Sequence, residues 1–376
     1  MSVSKMIGER IEGLMADKNI SLRKMANIIG VTHPTLKSYL TGDKVIDSVR
    51  LNAVAEYFNV SFDYFFSTDR DKLNLLFRAD QPAENLDDFD FRMIDERFRN
   101  YLEVVDFGKL KFIPMNYSLS VDGAKLSDQD EENIEKVAYE IRRLFKIENC
   151  IPSNYYSVLD NNGINVIASP YENDSFFGAS SYSSGNGSFV FVNSNEKIPE
   201  ERQIFSLIHE LGHLLFHRNE YKDPKSNPLY NTARGNVNEK VANSFAGYFL
   251  LPRYLVEGYI GARENNVNVI DMKKHFRVSI QALYIALRKY DLISEKQYRD
   301  FWDNINHSVW KKAEPEPLPV MDISEKNKRL IESLKRLYAE ESISVNRIAE
   351  VLEIPLIDAR KLVKKWGGLD EFYERF

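Results

Sequence analysis

The chain has 376 residues, of which 43 % are hydrophobic and 28 % charged, and a formal net charge of −6. That length leaves room for two to four domains, and the balance is that of an ordinary globular chain. No run of eighteen apolar residues occurs, so no membrane-spanning helix is expected, and the acidic balance excludes a broad, unspecific grip on nucleic acid. Met1 to Lys5 lack the apolar core of a signal peptide. Cys150 is the single cysteine, which excludes an internal disulfide, suits a reducing cytoplasmic setting, and is expected to be a core thiol.

Residues 1–68 read as a four- or five-helix unit. Ile7, Ile11, Leu14 and Met15 mark a first amphipathic helix. Ser21 can cap a second, ended by Gly30. Thr32 can cap a third, with Pro34 at an early position where its missing N–H costs nothing. Leu51, Val54, Ala55 and Phe58 mark a fourth. The segment from Ile20 to Gly42, with two short helices around a glycine turn, resembles the XRE (phage-repressor-like) helix-turn-helix family. The resemblance implies that His33, Thr35, Lys37 and Ser38 face the DNA major groove or its phosphates. Lys and Arg outnumber Asp and Glu by only eight to seven across residues 1–68, so a monomer would bind weakly and a homodimer on a palindrome would restore affinity. The competing reading is a protein-docking module that does not read DNA.

Residues 69–130 read as a helical connector rich in aromatics and charges. A core domain is expected over 131–264. It opens with an amphipathic helix from Glu132 to Phe145, followed by strand-like runs at Tyr155–Leu159, Ile164–Ala168 and Ser188–Val192. Phe189 to Val192 could be an exposed edge that pairs with an extended peptide, or equally a buried strand.

Pro199 and Glu200 then open a helix carrying His209-Glu210-Leu211-Gly212-His213, an H-E-x-x-H. Residues four apart share a helix face, so both imidazoles can reach one metal ion, with Glu210 beside it as a base for water. The competing reading is two core histidines bonded to backbone. His217 stands eight residues, or about 12 Å, beyond His209, too far to share the ion; it reads as a helix-terminal histidine, or as one that contacts substrate or supports a ligand from outside the ligand set. A better third ligand is Glu239, at the start of a helix with an apolar stripe through Ala242, Phe245, Ala246 and Phe249. Asn243, one turn on, could orient an imidazole. Alternatively, Glu239 is an ordinary acid near a helix N-terminus. The intervening stretch, Arg218 to Asn238, is either a lid or disordered, and Tyr230 or Arg234 could supply an oxyanion contact.

Taken with Ala242, Asn243, Phe245 and Pro252, this pattern resembles the ImmA/IrrE family of zinc metallopeptidases. The resemblance implies a gluzincin-like zinc peptidase core with a small sheet, in which His209, His213 and Glu239 hold Zn2+ and Glu210 is the general base. A second helix-turn-helix-like pair is expected at 265–310, with Ser279 as a cap and His275, Arg277 and Arg288 as either DNA contacts or solvated residues. Residues 311–323, with Pro315, Pro317 and Pro319, read as a stiff linker, and 324–376 as a helical tail that caps, dimerises or docks a partner. The whole is expected to be α+β and mostly helical. Three functions fit. The first is a DNA-tethered zinc endopeptidase that cuts a transcriptional repressor or similar partner in a mobile-element, stress or phage-defence context. The second is an antitoxin-like regulator that binds a toxin or other partner without cutting it. The third is a non-catalytic phage-defence or sensor scaffold.

Overall fold

A computed structural model describes residues 3–17, 20–58, 65, 75–79, 88–105, 117, 119, 125–173, 176–183, 187–217, 232–263, 267–306 and 313–366. The chain divides into two compact units, Met1–Lys72 and Leu73–Phe376.

The first unit holds α1 (Val3–Asp17), α2 (Leu22–Ile28), α3 (His33–Leu40) and α4 (Ser48–Phe58). Both expected caps form: Ser21 accepts from the Lys24 amide and Thr32 from the Thr35 amide. Gly30 turns the chain at φ +65°, a conformation open to glycine at little cost. Ile11, Met25, Leu36, Leu51 and Val54 close a core of their own.

In the second unit a four-stranded sheet has the order β1-β3-β4-β2, with β1 (Leu75–Ala79), β2 (Ile164–Ser169), β3 (Phe176–Ser183) and β4 (Gly187–Asn193). β2 and β4 are parallel; the other pairs are antiparallel. Val190 and Val192 join the core built with α6 (Asp128–Leu144), α8 (Glu200–Phe216) and α9 (Thr232–Leu250). Phe189 and Phe191 point to a second core, shared with α5 (Asp88–Val104), α15 (Lys328–Ala339), α16 (Val345–Leu352) and α17 (Leu356–Trp366). β4 is thus an interior strand, and the expectation of a peptide-binding edge at Phe189–Val192 is corrected. A strand apolar on both faces belongs inside a sheet.

Other expectations change for local reasons. Tyr155–Leu159 is not a strand but part of α7 (Tyr155–Asn161), because Asn154 caps it by accepting from the Ser157 amide. The 69–130 stretch is not wholly helical, since it supplies β1. Cys150 is exposed, not a core thiol. Glu239 does not open its helix: α9 starts at Thr232, two turns earlier.

After α10 (Arg253–Gly261) come α11 (Val269–Phe276), α12 (Ile280–Lys289) and α13 (Glu295–Asn306), with Ser279 capping α12 as expected. The Pro-rich segment is not a spacer between modules. It is fastened across the start of α8 by two buried lysines. The Lys273 ammonium bonds Glu201 at 2.8 Å, Glu314 at 2.9 Å and the Pro315 carbonyl at 2.8 Å. Glu201 also accepts from the Leu318 amide at 2.7 Å. Lys326, in α14 (Ile323–Lys326), pairs with Glu200 at 2.7 Å, and Glu200 accepts from the Met321 amide at 3.1 Å. Two carboxylates in the first turn of α8 also meet its favourable dipole end. At the other end of the pair, the buried Arg142 of α6 donates to the Phe249 carbonyl of α9 at 2.7 Å.

Lys273→Ala is expected to destabilise the second unit by about 3–5 kcal/mol, because it strands Glu201 in the core without its cation. Chemical denaturation checks this, and a loss below about 1 kcal/mol would contradict it.

Candidate metal centre

Every residue of α8 except Arg202 and Phe205 is buried. The helix can therefore carry polar side chains only if each has a partner. The four-residue spacing brings the His209 and His213 rings together, with Nε2 atoms 2.9 Å apart and ring centroids at 4.7 Å.

Glu239 arrives from α9. Its Oε2 is 3.2 Å from His209 Nε2 and its Oε1 is 3.1 Å from His213 Nε2. Gly212 allows this approach. A Cβ there would lie 3.1 Å from the Ala242 Cα and 3.2 Å from the Phe245 ring. The two helices therefore cross almost backbone to backbone, one turn from Glu239. Burial alone would raise the Glu239 pKa, but the two imidazoles outweigh it and hold the carboxyl far below its usual range.

Each imidazole is fixed from behind. His209 Nδ1 lies 3.0 Å from Asn243 Oδ1, the orienting contact expected from the sequence. His213 Nδ1 lies 2.9 Å from His217 Nδ1. Burial, with His213 beside it, drives the His217 pKa well below its usual value. With Nδ1 donating to Asn243 in one ring and to His217 in the other, each ring would turn an unprotonated Nε2 toward a cation bound beside Glu239. His217 thus serves as partner to a candidate ligand rather than as a free helix-terminal residue.

Two ring nitrogens 2.9 Å apart, each 3.1–3.2 Å from one oxygen of a single carboxylate, form a donor set for a cation. Ligands about 2.0–2.1 Å from a tetrahedral zinc stand about 3.3 Å apart, close to the separations present. Two imidazoles, one carboxylate and no thiolate suit zinc with a position left for substrate or water.

Glu210 sits beside this set: a carboxylate oxygen and the ring nitrogens of His209 and His213 all lie within 4.8 Å of one another. The Ser180 hydroxyl of β3 donates to Glu210 Oε2 at 2.6 Å. A Cβ at Gly178 would lie 3.2 Å from Glu210 Cγ, so that glycine makes room for the acid. Neither β3 residue was among the expected site residues. Their small, polar run, Gly178 to Ser181, carries no apolar alternation to betray a strand.

The four expected DNA residues lie in the other unit, together on α3. His33 and Lys37 are exposed. Thr35 bonds Thr32 at 2.9 Å and Ser38 donates to the Pro34 carbonyl at 3.1 Å, so their hydroxyls are engaged locally. Tyr230 and the Arg234 side chain, like most of the 218–238 stretch, fall outside the described residues.

Asn243→Ala is expected to weaken zinc binding by about 10–100-fold, the usual effect of losing such a partner, while Glu239→Ala should cost considerably more. Competition with a chelator measures both. Equal affinity in the Glu239→Ala variant and the parent would remove Glu239 from the ligand set.

Residues 159–288 match the family described as the IrrE N-terminal-like domain, a peptidase family, and residues 12–65 match the helix-turn-helix family. No curated protein matches the chain. In chain order, then, a match to an XRE-type helix-turn-helix family is followed by a match to an IrrE/ImmA-like peptidase family.

Proposed function

We propose that the chain is a DNA-binding regulator whose second unit is a zinc-dependent endopeptidase, acting on a transcriptional repressor or similar protein partner in a mobile-element, stress or phage-defence setting. The observation that carries the reading is the placement of the Glu210 carboxylate against His209 and His213, with Ser180 bonded to it from β3.

In this reading His209, His213 and Glu239 would hold zinc, which would supply Lewis acidity to the scissile carbonyl and to water. Glu210 accepts the water's proton and returns it to the leaving amine. The Ser180 hydrogen bond and the close wall at Gly178 keep that carboxylate in one orientation, so no rearrangement is needed between the two proton transfers. Asn243 and His217, each in contact with an Nδ1, would orient the two rings so that Nε2 faces the metal.

In the first unit, the helix-turn-helix fold supports DNA binding. Lys37 and His33 are the exposed groups on α3 available for phosphates or base edges.

Glu210→Gln is expected to slow cleavage of the partner by at least about a hundredfold with zinc content unchanged. Full regulatory activity in that variant would favour binding without cleavage, as in an antitoxin. Lys37→Ala should weaken binding to the protein's own promoter and lower the slope of log affinity against log salt by about one. An unchanged affinity and slope would leave the first unit as a docking module.

A further inference from the structure

β3 is the strand that touches Glu210, through Ser180 and Gly178. One side of β3 pairs with β4 and the other with β1. The β1 register sets Leu76 opposite Ser180, Phe77 opposite Ala179 and Arg78 opposite Gly178. The pairing is thus centred on the two residues that position the acid. Beyond Arg78 the register shifts, and Ala79 pairs with Phe176. Such bulges recur beside active sites, where they end or redirect pairing.

Without β1, β3 would be an open edge, with unpaired backbone groups running past Glu210. An open edge is how an extended peptide is captured, by antiparallel strand addition. The segment on that edge is the chain's own, and it begins three positions after Lys72, where the helix-turn-helix unit ends.

Resting on the peptidase reading above, we infer that residues 75–79 occupy the peptide-binding edge of the peptidase, so that a protein substrate must displace them before it can be cut. A tethered competitor of this kind acts at an effective concentration in the millimolar range. It excludes weakly binding peptides and admits those that pair better or arrive when the segment has been drawn away. The β1 contact is therefore a selectivity device for extended protein segments, joined directly to the DNA-binding unit.

The test fastens the strand in place. Phe77→Cys and Ala179→Cys put thiols on directly opposed residues, close enough for a disulfide, in a full-length chain also carrying Cys150→Ser. The zinc-loaded protein is assayed on a mixed peptide library before and after reduction, with Glu210→Gln as the blank. The expected result is a disulfide that forms readily, cleavage about tenfold or more slower in the oxidised form, and recovery on reduction. Failure of the thiols to pair, or equal cleavage in both forms, overturns the inference while leaving the peptidase reading intact. No Glu210-dependent cleavage in the reduced form or in the unsubstituted chain overturns that reading, and the inference with it.

Discussion

The candidate site depends on how closely α8 and α9 cross. Gly212, inside the H-E-x-x-H, packs so closely on α9 that a Cβ there would lie 3.1 Å from the Ala242 Cα, tight enough that the neighbours would have to give by a few tenths of an ångström. Only such a crossing lets the Glu239 carboxylate, one turn before Ala242, reach both imidazoles at 3.1–3.2 Å. A larger residue at Gly212 would press on Ala242 and Phe245 and so on the crossing itself, with no change to any candidate ligand.

Around that crossing lie several buried charged side chains that bond across elements. Glu200 and Glu201 take Lys326 and Lys273, and Arg142 takes the carbonyl of Phe249 near the end of α9. Pairs of this kind add little net stability over an apolar core, but breaking one is costly. Their consequence here is positional. They fix the start of α8 to the 313–326 segment and tie α6 to α9, so the helices carrying His209, His213 and Glu239 have few ways to slide.

Much of this is legible in the sequence. The helix that carries the H-E-x-x-H, the approach of Glu239 and Asn243 to it, and the caps at Ser21, Thr32 and Ser279 follow from spacing and side-chain chemistry, all of which are local. What escapes is non-local. Tyr155 to Leu159 looks like a strand until Asn154 is seen to cap a helix. The prolines of 311–323 read as a spacer because the lysines that fasten the segment lie about forty residues upstream or just beyond it. β3 is hidden by its small residues, yet those residues are what let it approach Glu210. His217 lies two turns beyond His209, at the C-cap of α8. Its contact with His213 emerges only from the ring orientations.

The central claim is that two imidazoles and the carboxylate of a second helix bind one zinc ion. X-ray absorption at the zinc edge, on the full chain carrying one equivalent of metal, tests it most directly. The account predicts a shell of nitrogen and oxygen alone at about 2.0–2.1 Å, with the outer scattering of two imidazole rings, lost when His209 and His213 are replaced. A sulfur neighbour at about 2.3 Å, or a shell without imidazole scattering, would contradict it.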